Sequence, residues 1–184
     1  MKQNVLDKVK IIELNKGDPS LHKLSYRYLT TSYLDVSIVH GKKSWKIKLT
    51  PKPLEQPIEK SFTGNLFEEH VEEPRAFAAV INEEQVGWVE LGYEKWNNRM
   101  RVWEFLVKDE FRRMGIGTLL MGFAVKVAKE KSARMLVLET RSCNVAAITF
   151  YLKQGFVLIG FDSATYSNTD LEKKEVRIEM GLTL

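Results

Sequence analysis

A chain of 184 residues, 44% hydrophobic and 28% charged, with 11 Gly and 5 Pro, is too apolar to be disordered and too irregular to be fibrous. Its longest uncharged stretch, Met114–Val125, is twelve residues, short of the ~20 that cross a bilayer as a helix. The net charge of +4 is unevenly spread, with ten Lys/Arg against four Asp/Glu in residues 1–50 and five against ten in residues 51–100.

Asp7 and Lys8 interrupt the start before any apolar run develops, so no secretory leader is expected. The single cysteine, Cys143, excludes an internal disulfide framework and fits a reducing compartment, so a cytoplasmic protein is expected. Lys42, Lys43, Lys46 and Lys48 cluster near Trp45 but alternate like the exposed face of a strand. That is a weak nucleic-acid signal, because no recognisable module accompanies it. His22, His40 and His70 show no metal-ligand spacing, and no membrane partner is expected.

In chain order, Val9–Leu14 reads as a strand. Asp18-Pro19 then opens a helix with Leu21, Leu24 and Tyr28 on one side. Tyr33–His40 and Ser44–Leu49 flank Gly41-Lys42-Lys43 as a half-buried hairpin. Pro51, Pro53 and Pro57 predict an extended connector, and Phe62–Glu73 a short acidic helix around Leu66, Phe67 and Val71. Ala76–Ile81 and Gln85–Leu91 form a second hairpin. Arg101–Val107 is a strand, and Gly115–Lys131 a helix with Ile116, Leu119, Leu120, Phe123 and Val127 at helical spacing. Met135–Thr140 is a strand buried on both faces. Asn144 caps a helix that runs through Lys153 and stops at Gly155. Phe156–Phe161 and Glu175–Leu182 are two more strands. The order implies a mixed sheet with helices packed on it.

Chemistry concentrates in two segments. In Val107-Lys108-Asp109-Glu110-Phe111-Arg112-Arg113-Met114-Gly115-Ile116-Gly117-Thr118, a strand passes through a polar loop into a helix. Amides left unpaired at a helix N-terminus, together with the helix dipole, attract anions. Glycines at 115 and 117 remove side chains that would hold a ligand off the backbone, and Arg112 and Arg113 add charge, so the segment reads as a cradle for a diphosphate. Thr118 and Leu119 follow Gly117 where a Walker loop needs Lys-Ser or Lys-Thr, and Leu120 stands where a dinucleotide fingerprint needs its third glycine. Close packing of helix on strand is the alternative use of these glycines. In the second segment, Asn144 and Tyr151 are seven residues apart and share one helical stripe. A plain N-cap and an amphipathic core tyrosine are the simpler readings of the two.

Together the segments resemble the GNAT (Gcn5-related) N-acetyltransferase superfamily. Its acyl-CoA signature is matched by Arg112, Gly115 and Gly117, and its later pattern by Asn144, Ala147, Phe150-Tyr151 and Gly155-Phe156. Arg113 stands where many relatives carry glycine. The match covers roughly Arg75–Leu182. A narrower similarity, to the streptothricin acetyltransferase group, rests on Trp96-Asn97, Leu138-Glu139-Thr140, Asn144, Phe150-Tyr151, Gly155-Phe156, Asp162 and Tyr166, and the first sixty residues do not share it.

The resemblance implies an α/β (α+β) fold. Its central sheet is mixed and mostly antiparallel, with helices on both faces and a V-shaped splay between the fourth and fifth core strands. It implies a variable part, residues 1–60, that contributes to the acceptor site, and an acetyl-CoA-binding core, residues 61–184, within one compact domain. Acetyl-CoA would be the co-substrate. Its pantetheine arm would lie along Phe105, Leu106 and Val107, its diphosphate would take the amides of Arg113, Met114, Gly115, Ile116, Gly117 and Thr118 beside Arg112, and Asn144 and Tyr151 would complete its site.

A primary amine would attack the thioester directly, with a backbone N–H near Leu106 meeting the carbonyl oxygen and Tyr151 serving the departing sulfur. Neutralising an alkylammonium at pH 7 costs about 4–5 kcal/mol, which calls for a base. Glu104 is the first candidate, and pairing with Arg99 or Arg101 is its structural alternative. Glu139 is read as structural, Cys143 as inert, and Asp162 with Tyr166 as candidates to hold a cationic acceptor. The acceptor is expected to be a small amine or antibiotic. A peptide or protein amine, or a non-catalytic acyl-CoA-binding module, remain the alternatives. Dimerisation is common among such relatives, and the Tyr33–Leu49 hairpin is a candidate interface.

Overall fold

The computed structural model describes residues 5–18 and 23–184. They fall into two compact units. The first comprises the described part of Met1–Tyr26, with Phe62–Leu138 and Leu182–Leu184; the second comprises Arg27–Ser61 and Glu139–Gly181.

In the first unit, β1 (Lys10–Leu14), β4 (Arg75–Ile81), β5 (Glu84–Glu94) and β6 (Arg99–Val107) pair antiparallel in that order, and β6 then pairs in parallel with the start of β7 (Met135–Arg141). This is the mixed, mostly antiparallel sheet that the sequence implies. The parallel register runs from Arg99 opposite Met135 to Val102 opposite Leu138 and stops there, while β6 continues to Val107.

Helix α1 (Ile116–Glu130) packs on β5 and β6, burying Ile116, Leu120, Met121, Ala124, Val127 and Ala128. The Leu120 side chain comes so close to Gly87 that a Cβ there would lie 3.0 Å from it, and Phe123 meets Phe77 edge-on with ring centroids 4.9 Å apart. On the opposite face of β5, Trp88 joins Leu14, Leu24, Phe67, Ala76, Ala78 and Leu106 in a buried cluster. β5 is therefore covered on both sides, which explains why Val86–Leu91 reads as an almost unbroken apolar run.

β2 (Leu24–His40) and β3 (Trp45–Gly64) form a two-stranded ribbon, much longer than the expected hairpin. Of the helix expected after Asp18, Pro19–His22 lies outside the described residues, and Leu24 and Tyr28 belong to β2. A spacing of four satisfies both the helical and the strand period, and the aromatic and β-branched residues of Tyr26–Thr31 favour the strand. Pro51, Pro53 and Pro57 sit within β3 rather than in a connector. All three are odd-numbered, so their missing N–H groups fall on one edge, and a ribbon has an outer edge that needs no donors.

The acidic helix expected over Phe62–Glu73 is replaced by the end of β3 and a series of turns. Phe67 (φ 61°) and Glu73 (φ 45°) adopt left-handed backbone that no helix accommodates. Phe67 and Val71 are buried nonetheless.

The second unit contains α2 (Val145–Lys153), β8 (Val157–Asp162) and the part of β9 (Arg177–Thr183) that pairs antiparallel with it, up to Gly181; these elements agree with the expected ones within two residues. Ser142 is fully buried; its N–H donates to the Val176 carbonyl (2.8 Å), its Oγ to the Lys174 carbonyl (2.8 Å), and its carbonyl accepts from Leu34 (2.9 Å).

Candidate functional site

The strand-to-helix turn of the first unit is built from left-handed residues. Arg113 has φ 62° and Gly115, the N-cap of α1, φ 89°. The glycine common at position 113 in the family is thereby explained, since this chain forces a side chain into a conformation glycine adopts freely. Alternation of this kind turns successive N–H groups to one side, the backbone geometry of an anion-binding concavity. Gly115 also has a packing role: a Cβ there would lie 3.0 Å from Leu6 Cδ1 in the 3-10 turn Val5–Lys8.

Arg112 folds back on its own loop, donating from Nε to the Val107 carbonyl (3.1 Å) and pairing through Nη2 with Asp109 (2.7 Å). Met114 and Thr118 are exposed and Gly117 half-buried, with Ile116 fully buried as the anchor of the helix start. The turn thus offers backbone amides and exposed cationic side chains to an anion, while Ile116 contributes by fixing the backbone.

Glu104 stands on β6 among half-buried residues and accepts a hydrogen bond from Tyr26 Oη. Arg99 and Arg101 instead pair with Glu94, at 3.0 and 2.7 Å, so the structural alternative foreseen for Glu104 is met by a different carboxylate. Burial raises the Glu104 carboxyl above the usual range, the Tyr26 bond draws it back, and the charge of Glu68 raises it further.

Opposite Glu104 in the β5–β6 register stands Glu90, 1% exposed. Its Oε1 accepts the Phe67 N–H at 2.6 Å, and burial, with the charges of Glu104 and Glu68, pushes it up to about 7. Tyr26, the donor to Glu104, stacks on Phe62 (centroids 4.6 Å, planes within 6°), and Trp103, next to Glu104 in β6, meets His70 edge-on at 4.8 Å. Glu90, Tyr26 and Trp103 were not found from the sequence, whereas Glu68 belongs to the acidic stretch Phe62–Glu73 from which acceptor-site carboxylates are expected. The available signal was Glu90 itself, one charge within the apolar run Val86–Leu91.

Phe105 and Val107 are half-buried and Leu106 buried, on the part of β6 that continues past its parallel pairing. A cavity of about 380 Å³ elsewhere in this unit is lined by Tyr93, Met100, Val127 and Glu130, and by none of the candidate catalytic or coenzyme-binding residues.

In the second unit, Asn144 is the N-cap of α2, its side-chain oxygen accepting from Ala147 N at 3.2 Å. Tyr151 is buried on the same helix, against Phe150 and Phe156, and burial raises its phenol. Cys143 is buried with Tyr28 Oη 3.5 Å from its sulfur. Arg177 gathers Glu139, Asp162 and Glu179 at 3.5–3.7 Å, while Tyr166 Oη donates to Glu139 at 3.2 Å beneath the Arg141 guanidinium. Glu139 thus sits in an ion-pair network that also engages Asp162 and Tyr166.

The profile of the acetyltransferase (GNAT) family matches residues 43–156, more than half of the chain. A streptothricin acetyltransferase of Streptomyces lavendulae is 36% identical over 99 residues, 53% of this chain and 52% of that protein. The chain spans about half the length of the curated relatives it matches. Across nearly the whole chain, the crystal structure of a nourseothricin acetyltransferase superposes with a TM-score of 0.77 at 27% identity, covering 96% of this chain and 98% of the other. A Bacillus anthracis str. Ames protein solved in complex with acetyl coenzyme A does so with a TM-score of 0.74 at 26% identity, covering 96% and 97%. A left-handed turn into α1, a β6 strand that outruns its parallel pairing, and a family match spanning both place this chain in the acetyltransferase (GNAT) family.

Proposed function

We propose that this chain is an acetyl-CoA-dependent N-acetyltransferase whose acceptor is a small cationic amine, antibiotics of the streptothricin kind included. The observation that carries the acceptor reading is Glu104 with Glu68 near enough to act on it electrostatically, and Tyr26 both bonded to Glu104 and stacked on Phe62, since acidic groups beside aromatic faces favour an ammonium ion. The streptothricin and nourseothricin acetyltransferases among its relatives support the same class.

Bound acetyl-CoA supplies a thioester carbonyl, and the amine attacks it, forming the amide as the carbon–sulfur bond breaks. The amides of Arg113–Thr118, with Arg112 and Arg113 alongside, hold the diphosphate, and the backbone of Phe105–Val107 aligns the pantetheine arm. Glu104 takes a proton from the acceptor ammonium and makes it a nucleophile. Tyr151, its phenol kept protonated through neutral pH by burial, holds at Oη the proton the sulfur requires. Asn144 keeps α2 in place as its cap.

The test is to mix the protein with acetyl-CoA and a panel of streptothricins, polyamines, aminoglycosides and peptides, and to follow free thiol. Turnover on small polycations supports the reading, and turnover on peptides alone replaces the acceptor. Tight coenzyme binding without turnover on any amine replaces the enzyme with a binding module.

A further inference from the structure

We propose that Glu90 is a positioning residue for Glu104: the two carboxyl groups, set opposite each other by the β5–β6 register and capped by one loop segment, hold a single proton between them, and Glu90 thereby sets the basicity that Glu104 presents to the acceptor. The proposal rests on Glu104 being the base of the proposed reaction.

Three features of the first unit carry it. Directly opposite residues of an antiparallel pair place their Cβ atoms about 4.5–5.5 Å apart on one face, and Glu90 and Glu104 are such a pair. Two carboxylates that close do not readily ionise together. The segment Gly64–Phe67 closes over both: a Cβ at Gly64 would lie 2.8 Å from the Glu104 carboxyl carbon, and the Phe67 N–H donates to Glu90 at 2.6 Å. Phe67 does so from a left-handed backbone, φ 61°, a strained conformation for a bulky residue.

The surroundings do little to neutralise Glu90. β4 presents Ala76 opposite it, β6 presents Glu104, and the loop after β3 presents Glu68. His70 from that loop and Tyr26 from β2 act on Glu104. Glu90 accordingly titrates near 7, inside the range where an amine acetyltransferase would work.

The proton account is simple. The ammonium gives one proton to the ionised member of the pair as its nitrogen becomes nucleophilic. The pair then returns that proton to solvent, because the overall reaction of an ammonium with a thioester yields amide, thiol and one free proton. Above the Glu90 titration both carboxylates are charged, and Glu104 is the stronger base for it.

The experiment is the pH dependence of kcat/KM for wild type, Glu90→Gln and Glu104→Gln. Gln keeps an oxygen for the Phe67 N–H but cannot ionise. The expected result is a ratio of Glu90→Gln to wild type that falls by about threefold or more between about pH 6 and about pH 8.5. A ratio independent of pH, whatever its size, is what a purely structural residue gives, and it overturns the proposal.

Should Glu90→Gln fail to fold, Glu104→Gln answers the question through stability. Removing the like charge must move the Glu90 titration, followed by melting against pH, to lower pH, and an unmoved titration overturns the coupling. Full activity of Glu104→Gln at every pH would remove Glu104 as the base, a distinct failure, because the stability titration reports the carboxyl pair whether or not it serves the reaction.

Discussion

Replacing Glu90 with Gln should stabilise the protein at alkaline pH and leave it nearly unchanged in acid. Glu90 is 1% exposed, and its carboxyl is raised from an ordinary 4.5 to about 7, chiefly by burial. A carboxyl raised in the folded state binds more protons folded than unfolded between those two values, so stability falls as pH rises through that window. At ~1.36 kcal/mol per pK unit, the wild type loses about 2.5 kcal/mol between about pH 5 and about pH 8.5 from this one group. Gln has nothing to ionise, and the groups not coupled to Glu90 titrate alike in both proteins and cancel in the comparison, leaving the Glu104 response as a smaller correction. For a chain of this size that difference is about 5–10 °C in Tm. Thermal melts of both proteins across the range measure it. A variant less stable than wild type by the same amount at both ends would refute the reasoning, since the loss would then be one of packing and not of charge.

The other expectations are brief. Tyr151→Phe should lower kcat by about 100-fold or more while coenzyme affinity, read by calorimetry, stays within about twofold; an unchanged kcat would remove the phenol from the proton path. Gly117→Val places a branched side chain at the start of α1 and should weaken coenzyme binding by about tenfold or more, which titration calorimetry checks. Arg113→Gly relieves the left-handed φ of 62° and should raise stability by about 1 kcal/mol in denaturant melts, with weaker coenzyme binding if the guanidinium contributes. Tyr26→Phe removes the donor that holds Glu104 down, so the acidic limb of the kcat/KM profile should move to higher pH; a limb that stays put or moves down would show another group in control.

The glycine turn, α1, α2 and every strand from Arg75 onward were legible because each is announced locally. Gly115 needs its positive φ, Asn144 caps through its own side chain, and Leu120, Phe123 and Val127 repeat at the period of the helix they bury. Residues 23–73 were read less well, for a physical reason. Their form is decided by partners far along the chain: the Phe67 turn by the carboxyl of Glu90, and the end of β3 by Glu104. Leu24 and Tyr28 fit either period, and three prolines that argue against an interior strand are compatible with a two-stranded ribbon, where each strand has one edge that needs no donors. Likewise Glu104 was visible as a candidate, while Tyr26 and Glu68, which act on its carboxyl, and Glu90, which pairs with it in the sheet, were scattered over β2, the loop after β3, and β5.

The decisive local irregularity is one residue wide. Glu90 pairs with Glu104, yet Leu91 pairs with Val102, so Trp103 is an extra residue in β6. Before it, odd-numbered Arg101 faces the side of Gly92 and Glu94, where it binds Glu94; after it, even-numbered Glu104 and Leu106 face that same side, opposite Glu90 and Trp88. The ring of Trp103 lies on it too, 2.8 Å from where a Gly92 Cβ would be. Strict alternation would have sent Glu104 to the face of Val102 and Leu91, beneath α1, where a lone carboxylate would be costly to bury. A strand that looks regular in sequence therefore carries Glu104 to the face away from α1 only because the backbone slips, and that slip puts Glu90 and Glu104 opposite each other.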